Sequence, residues 1–158
     1  MTVSRKKKVI CLAASSGGHY EQLLMLKPLL KKYDGFVLTE KTEYSADVKD
    51  VETEHVLQVN REEWSCWPRL IANAFISLGI YIKKRPDVVV CTGVLAMIPM
   101  CLLVKIFGGK LVYIESFAKV TSPTQTGKLL YKFADKFYVQ WEPMKQYYPK
   151  AECLGGIY

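Results

Sequence analysis

Histidine is scarce in this sequence, and its cysteines show no spacing that would hold a metal ion. The 158 residues include only two histidines, His19 and His55, and the five cysteines form no Cys-x-x-Cys pair. Zinc and other transition-metal sites need several His or Cys ligands at short spacing, so we predict no metal site. The odd number of cysteines, most of them in apolar runs, is typical of buried thiols in a reducing compartment.

Apolar segments long enough to span a membrane or to direct export are also missing. The run LIANAFISLGIYI, residues 70–82, falls short of the roughly 20 residues that a spanning helix needs. Near the start, VICLAA falls below the roughly 7 to 15 apolar residues of an export signal. We therefore predict that VICLAA is a core strand and that any membrane contact is peripheral.

The common nucleotide-binding and hydrolase motifs are absent. A dinucleotide fingerprint requires G-x-G-x-x-G, but here Gly17 and Gly18 are adjacent and no third glycine opens the helix. The segment SPTQTGKLL departs from a Walker loop, because Ser122 replaces its first glycine and Leu129 replaces its magnesium-binding Ser or Thr. No G-x-S-x-G elbow is present. NAD-dependent, ATPase and serine-hydrolase chemistry are therefore not expected.

The charge balance is basic, and the excess is concentrated near the start. Net charge is +7, of which four positive charges lie in residues 5–8, RKKK, which leaves +3 (7 minus 4) for the rest. A basic surface of this kind can bind nucleic acid, anionic lipid or a phosphorylated substrate. The alternative is a solvated basic tail that binds no partner. No motif and no interleaving of basic and aromatic residues supports nucleic acid, so we predict no such partner. We expect residues 1–7 to be a flexible basic tail.

Apolar runs and helical spacing alternate along the chain. Continuous apolar runs predict strands that are buried on both faces, and recurrence at three and four residues predicts helices between them. This alternation predicts one α/β domain, residues 1–158, built on a doubly wound, Rossmann-like parallel sheet. The predicted strands are 8–14, 35–40, 55–59, 87–93, 110–116 and 136–140, and the predicted helices are 19–33, 67–84, 95–107 and 126–135.

Polar loops follow three of these strands, at the edge of the sheet where such folds bind ligands. The first loop brings Ser15, Ser16, Gly17 and Gly18 to the start of a helix, where small side chains and backbone N–H groups suit phosphate or diphosphate. His19 would face that anion, as a base on a hydroxyl or as a donor to phosphate. The alternative is that these residues form only a tight turn, in which His19 caps the helix and binds no ligand. The other two loops are 92–93 and 115–126.

Three segments carry a resemblance to a known family: SSGGHYEQL, YIESFAKVTSPTQTGKLLYKFADKFYVQW and the terminal YPKAECLGGIY. The chain resembles the acceptor-subunit family of the two-part N-acetylglucosaminyltransferase of asparagine-linked glycosylation. It resembles more closely the bacterial relatives of the PssD type, encoded among exopolysaccharide and capsule genes. The family resembles the N-terminal half of a GT-B glycosyltransferase such as MurG. The resemblance therefore implies the fold of a GT-B N-terminal domain, with the donor-binding half on a separate polypeptide.

The resemblance implies an acceptor-binding, membrane-recruiting subunit that transfers sugar only together with its donor-binding partner. The reaction would move a sugar, with inversion, from a UDP-sugar to an undecaprenyl-diphosphate-linked saccharide at the cytoplasmic face of the plasma membrane. No metal or other cofactor is implied, and the UDP-sugar is expected to bind mainly on the partner. Two alternatives stay open: a non-catalytic scaffold that only docks and stabilises the partner, and a self-sufficient nucleotide-binding enzyme.

The resemblance also implies roles for single residues. His19 and Glu115 would be catalytic, with Glu115 either a second candidate for the base or the group that orients His19. A structural ion pair of Glu115 with Lys119 or Lys128 is the alternative. From the resemblance or from their place in the polar loops after strands, the residues predicted to bind the acceptor and its diphosphate are Ser15, Ser16, Gly17, Gly18, Thr92, Gly93 and Ser116.

Membrane contact is expected from the segment EEWSCWPRLIANAFISLGIYIKKRP. The eukaryotic subunit of the family begins with a membrane-spanning helix, and nothing before Lys8 suits one, so we expect a peripheral helix instead. Apolar residues recur there at helical spacing between two tryptophans and a basic flank. An ordinary helix packed on the sheet would show the same spacing. The residues predicted to contact the membrane are Trp64, Trp67, Arg69, Ile71, Phe75, Leu78, Ile82, Lys83, Lys84 and Arg85.

Overall fold

The computed structural model describes residues 7–42 and 50–157, which form a seven-stranded sheet with every strand parallel to its neighbours. The strand order is β3-β2-β1-β4-β5-β6-β7, which confirms the predicted doubly wound α/β fold. The predicted basic tail, apart from Lys7, lies outside the described residues. The strands are β1 Val9–Ala13, β2 Asp34–Lys41, β3 Thr53–Leu57, β4 Val88–Cys91, β5 Lys110–Ile114, β6 Lys136–Val139 and β7 Glu152–Cys153.

Five α-helices connect these strands within the described residues: α1 Gly18–Leu24, α2 Leu29–Lys32, α3 Cys66–Lys84, α4 Ile98–Ile106 and α5 Gln125–Leu130. The single helix predicted over 19–33 is wrong in its middle, where a turn separates α1 from α2. Pro28 explains the break, because proline has no N–H to donate and its ring clashes with the preceding helical turn. Pro99 is tolerated because it lies in the first turn of α4, where no intrahelical donor is needed.

The two faces of the sheet are covered by different helices. On one face Phe36 and Leu111 pack in a core that includes Met100 of α4 and reaches α3 and α5. On the other face Leu12 packs with Leu23 of α1. Right-handed crossovers produce this arrangement, because β1, β2 and β3 proceed in one direction from the centre and β4 to β7 in the other. In the residues that the structure describes, no helix is both long enough and apolar enough to cross a bilayer.

Candidate active site at the carboxyl ends of the strands

The glycine turn lies where the sheet changes its direction of winding. Strands β1 and β4 are neighbours, but the chain leaves them toward opposite edges, so a crevice opens between their carboxyl ends. The turn after β1 bends at Gly17, whose φ of 88° costs glycine little, and α1 begins at Gly18. The Thr92 hydroxyl donates to the His19 carbonyl at 3.0 Å. This bond joins the first two predicted loops.

The His19 imidazole lies against Gly93, just after β4. Gly93 has a φ of 123°, which favours glycine, and a Cβ atom there would be in van der Waals contact with the imidazole, 3.4 Å from its Cε1. Nδ1 of His19 is buried and has no hydrogen-bond partner among the described residues. Burial lowers the pKa of this imidazole, an effect that the Glu115 carboxylate partly opposes. His19 is therefore mainly neutral at pH 7 and able to accept a proton.

His19 lines a cavity of about 410 Å³, hereafter the polar cavity. Two cationic side chains, Arg61 and Lys119, line it as well. Arg61 donates to the Thr126 hydroxyl at 3.1 Å, and neither cation forms an ion pair within the part of the chain that the structure describes. Val94, also in the lining, has a φ of 88°, which strains a β-branched residue. The polar cavity thus combines a neutral base with positive charge, which suits an anionic substrate that carries a hydroxyl.

The turn itself contributes less to this cavity than the sequence predicts. Of the predicted site residues, His19 and Gly93 line it. Ser15 is buried behind the turn, where its hydroxyl donates to the Ser16 carbonyl at 3.2 Å, and Ser116 is also buried. Gly17 and Gly18 are exposed on the surface of the turn.

The carboxylate of Glu115, just after β5, is surrounded by hydrogen-bond donors, and only 1% of the residue is exposed. It accepts from the Ser116 N–H at 3.0 Å and from the Tyr148 hydroxyl at 2.7 Å. Thr124 donates to it twice, through its N–H at 3.2 Å and its hydroxyl at 2.9 Å. Burial and the bond to Glu115 raise the pKa of Tyr148, so its hydroxyl remains a donor. This geometry favours a positioning role for Glu115, because both of its oxygens already accept hydrogen bonds.

The alternative role for Glu115, a structural ion pair, is not found among the described residues. Within the described residues, neither Lys119 nor Lys128 pairs with its carboxylate. Glu115 instead holds the loop formed by residues 116–124, hereafter the β5–α5 loop, which carries Lys119 to the polar cavity. At its start, the loop is also held by the Trp141 indole N–H, which donates to the Phe117 carbonyl at 2.7 Å.

An apolar groove of about 640 Å³ adjoins the polar cavity. Its walls include the two tryptophans near the start of α3, Trp64 and Trp67, and Leu129 of α5. Four residues line both the groove and the cavity: Arg61, Leu95, Gln125 and Thr126. The two spaces therefore meet at Arg61.

Comparison with known proteins identifies the family. The family described as "Oligosaccharide biosynthesis protein Alg14 like" matches residues 10–157. The chain belongs to this family. It is 30% identical over 182 residues to the human protein named UDP-N-acetylglucosamine transferase subunit ALG14, covering 97% of this chain and 84% of the human one. A relative of the same name from Yarrowia lipolytica is 27% identical over 167 residues, covering 89% of this chain and 76% of the relative. The closer likeness to the PssD type stays a prediction.

Solved structures show the same fold for this Alg14-like chain. MurG from Acinetobacter baumannii has a TM-score of 0.66 at 17% identity, over 84% of this chain and 41% of MurG. A UDP-N-acetylglucosamine 2-epimerase from Rickettsia bellii has a TM-score of 0.74 at 10% identity, over 96% of this chain and 45% of the epimerase. The chain thus spans less than half the length of these two proteins and matches the N-terminal domain of a GT-B glycosyltransferase in fold.

Helix α3 of this Alg14-like chain directs an apolar stripe outward and buries polar residues. Asn73 on its inner side is fully buried, and its amide bonds with both the N–H and the carbonyl of Leu57, each at 2.8 Å. The stripe therefore does not pack on the sheet, although α3 itself does, through other side chains that include Ile76 and Ile80. Membrane contact through the stripe stays a prediction. The members of the stripe are Trp67 at 72% exposure, Ile71 at 60%, Phe75 at 71% and Ile82 at 60%; Leu78 is partly buried, and Trp64, ahead of the helix, is fully exposed.

The basic flank of α3 is less available than the sequence predicts. Ion pairs join Lys83 to Glu54 at 3.3 Å, Lys84 to Glu52, and Arg69 to Glu63 at 3.5 Å. Arg85 is exposed and has no carboxylate partner within residues 7–42 and 50–157. The stripe, rather than the flank, is the stronger argument for membrane contact.

Sequence reasoning missed three residues of the site in this family member. Arg61 lies in the polar segment NREE, which is typical of a solvated loop and gives no signal of a cavity. Tyr148 reaches Glu115 from 33 residues away. Gln140 donates to the Glu115 carbonyl at 2.9 Å and to the Gln22 side chain at 3.3 Å, joining β5 to α1. Gln140 and Tyr148 lie in resembling segments, which indicated no contact for either residue, and Arg61 lies in none of them.

Proposed function

We propose that this chain is the acceptor-binding, membrane-associating subunit of a two-component UDP-sugar glycosyltransferase. The observation that supports this most directly is the neutral His19 imidazole in a cavity that, among the described residues, is lined by two cations and no carboxylate. A base beside a positive surface fits a hydroxyl on a diphosphate-linked saccharide. The family supports it as well, since the human relative is named as a subunit of a UDP-N-acetylglucosamine transferase.

In the proposed reaction, His19 accepts the proton of the acceptor hydroxyl as that oxygen bonds to the anomeric carbon of the UDP-sugar. The bond from that carbon to the diphosphate oxygen breaks, and UDP leaves with the electron pair. Glu115 acts as a positioning residue through the β5–α5 loop. The donor-binding subunit would hold the UDP-sugar. Around the acceptor we expect Ser15, Ser16, Gly17, Gly18, Thr92, Gly93 and Ser116.

The acceptor that we propose is an undecaprenyl-diphosphate-linked saccharide of exopolysaccharide or capsule synthesis, reached from the cytoplasmic face of the plasma membrane. The apolar stripe of α3 is the surface proposed to attach the subunit peripherally. UDP-N-acetylglucosamine is the first donor to test, because the relatives are named for it. UDP-galactose and UDP-glucuronic acid are the next donors to test.

Co-expression of the full chain with the protein of the neighbouring reading frame tests this function. We expect the two chains to co-purify and to transfer radiolabelled sugar into membrane lipid only together. The His19→Asn variant should keep the complex but lose turnover. Turnover that survives this substitution would indicate a scaffold that only docks the partner. Transfer by this chain alone, or failure of the two chains to associate, would overturn the proposal.

A further inference from the structure

We infer that Glu40 is a positioning residue of the candidate active site: its buried carboxylate fixes the loop that brings Arg61 to the polar cavity. This loop consists of residues 58–65, between β3 and α3, and is hereafter the β3–α3 loop. Glu40 itself lies behind the wall of the cavity and does not line it. The inference rests on the proposed function and adds to it a residue that acts through another.

The carboxylate of Glu40 is buried near the end of β2, where only 3% of the residue is exposed. Its Oε1 accepts a hydrogen bond from the Val59 N–H at 3.1 Å. Among the described residues no Lys, Arg or His pairs with this carboxylate, and burial raises its pKa. Burial of a carboxylate without an ion pair costs free energy. The bond to Val59 is the contribution that an apolar side chain of similar size could not make.

This bond controls a short piece of backbone in the cavity wall. Val59 and Arg61 both line the polar cavity, and Arg61 donates to the Thr126 hydroxyl at 3.1 Å. Two residues of chain span at most about 7 Å, so a displacement of Val59 is passed on to the backbone of Arg61. The position of the guanidinium in the cavity therefore depends on the bond that Glu40 accepts.

The other bonds at the start of the loop come from α3. Asn73 bonds with both backbone groups of Leu57, directly before the loop, and Arg69 donates to the Gln58 carbonyl at 3.1 Å. Both side chains belong to α3, whereas Glu40 belongs to β2. Glu40 thus ties the β3–α3 loop to the neighbouring strand of the sheet, while α3 holds it from the other side.

Steady-state sugar transfer by the complex with the donor-binding subunit tests this role. The acceptor is lipid-linked saccharide extracted from the membranes on which transfer is assayed. Glu40→Met removes the acceptor oxygens and should lower kcat/KM about tenfold, mainly by raising KM, because Arg61 faces the anion of the acceptor rather than the reacting oxygen. Glu40→Gln should retain most of the activity, because its amide oxygen can accept from Val59. An unchanged KM in Glu40→Met overturns the inference.

A double-mutant cycle shows whether Glu40 acts through Arg61. Arg61→Gln should raise KM by itself, and the double variant Glu40→Met with Arg61→Gln should be no less active than Arg61→Gln alone. A merely structural residue would instead lower activity by the same factor in both backgrounds. Losses that multiply in this way would contradict the inference.

Asp87→Leu is the matched control. Asp87 also accepts one backbone N–H, that of Val9 at 2.9 Å, but at the opposite end of the sheet, before β4. Its loss should leave the KM of the acceptor unchanged. An equal rise of KM in Asp87→Leu and Glu40→Met would show that any weakened strand end has this effect, and the inference would fail.

Amide hydrogen exchange of the full chain gives an answer that does not depend on transfer. In Glu40→Met we expect residues 58–61 to exchange at least tenfold faster, while β1 and β5 keep their wild-type rates. Unchanged exchange in the loop, or an equal increase throughout the chain, overturns the inference. If Glu40→Met does not fold, which thermal unfolding checks, Glu40→Leu takes its place. Absence of transfer by the wild-type complex would instead refute the proposed function, so the two failures are distinguishable.

Discussion

At the scale of single residues, the chemistry of His19 is set by its neighbours. The ring lies beside Gly93 with Nδ1 buried, and burial lowers the pKa of the imidazole from the ordinary 6.5. The folded-state pKa lies below that of the unfolded chain, so protonation on acidification disfavours the native state. The free energy of unfolding therefore rises with pH through the window between the folded-state pKa and about 6.5.

The pH dependence of sugar transfer should report this environment. In the complex with the donor-binding subunit, we expect the acidic limb of kcat/KM to lie below pH 6.5, because His19 must be neutral to accept a proton. His19→Asn should lower turnover by about 10²- to 10⁴-fold and abolish that limb, whereas His55→Gln should keep it. A limb that persists in His19→Asn would assign the titration to another group.

At the scale of elements, the β5–α5 loop owes its shape to a buried carboxylate. Glu115 accepts hydrogen bonds from Thr124, before α5, and from Tyr148, after β6. The Thr124 hydroxyl also caps α5 by accepting from the Gly127 N–H at 2.8 Å. This packing leaves no space beside Gly127: a Cβ there would overlap the Glu115 carboxylate and would lie 2.6 Å from the Tyr148 hydroxyl.

A glycine-to-alanine exchange inside a helix usually stabilises a protein, but in α5 it should destabilise it. Gly127→Ala is expected to lower the free energy of unfolding by about 1 to 3 kcal/mol, because the added methyl displaces the Glu115 network. Gly79→Ala in α3, where a Cβ meets nothing within 4 Å, should raise it by up to about 1 kcal/mol. Denaturant unfolding of both variants measures the difference. Equal stabilisation by the two would show that α5 has room to shift.

At the scale of the whole molecule, the two faces of the sheet differ in what they expose. Helix α3 directs its apolar stripe outward on one face, and the groove beside it leads to the polar cavity. The opposite face is covered by α1 and α2. Attachment through α3 would therefore turn the groove, and with it the route to His19, toward the lipid.

Vesicle binding should distinguish the two faces. Phe75→Gln is expected to weaken binding to vesicles of phosphatidylglycerol and phosphatidylcholine by about tenfold, since it removes one large apolar side chain from the stripe. Met25→Gln, directly after α1 on the opposite face, should leave binding unchanged although Met25 is 54% exposed. Co-sedimentation measures both. Equal losses in the two variants would show that the protein binds lipid without a preferred face.

The sequence by itself determined the fold class and the position of the glycine turn. Both depend on local patterns: apolar runs fix the buried strands, helical spacing fixes the elements between them, and parallel strands put their loops on one edge. His19 and Glu115 are candidate site residues on the sequence alone, because His19 follows the glycine turn after the first strand and Glu115 lies at the end of another strand, each in a resembling segment. Where a local pattern competed with proline geometry, as at Pro28, the prediction of one continuous helix was wrong.

Only the tertiary structure decided which residues surround His19 and which way α3 faces. Arg61 reaches Thr126 across 65 positions of sequence, and Tyr148 reaches Glu115 across 33. Contacts between distant segments leave no periodic signal, because packing rather than spacing selects them. The orientation of α3 was also not predictable from periodicity. The hydrogen bonds of Asn73 to Leu57 hold a polar side of the helix inward, so the apolar stripe is exposed.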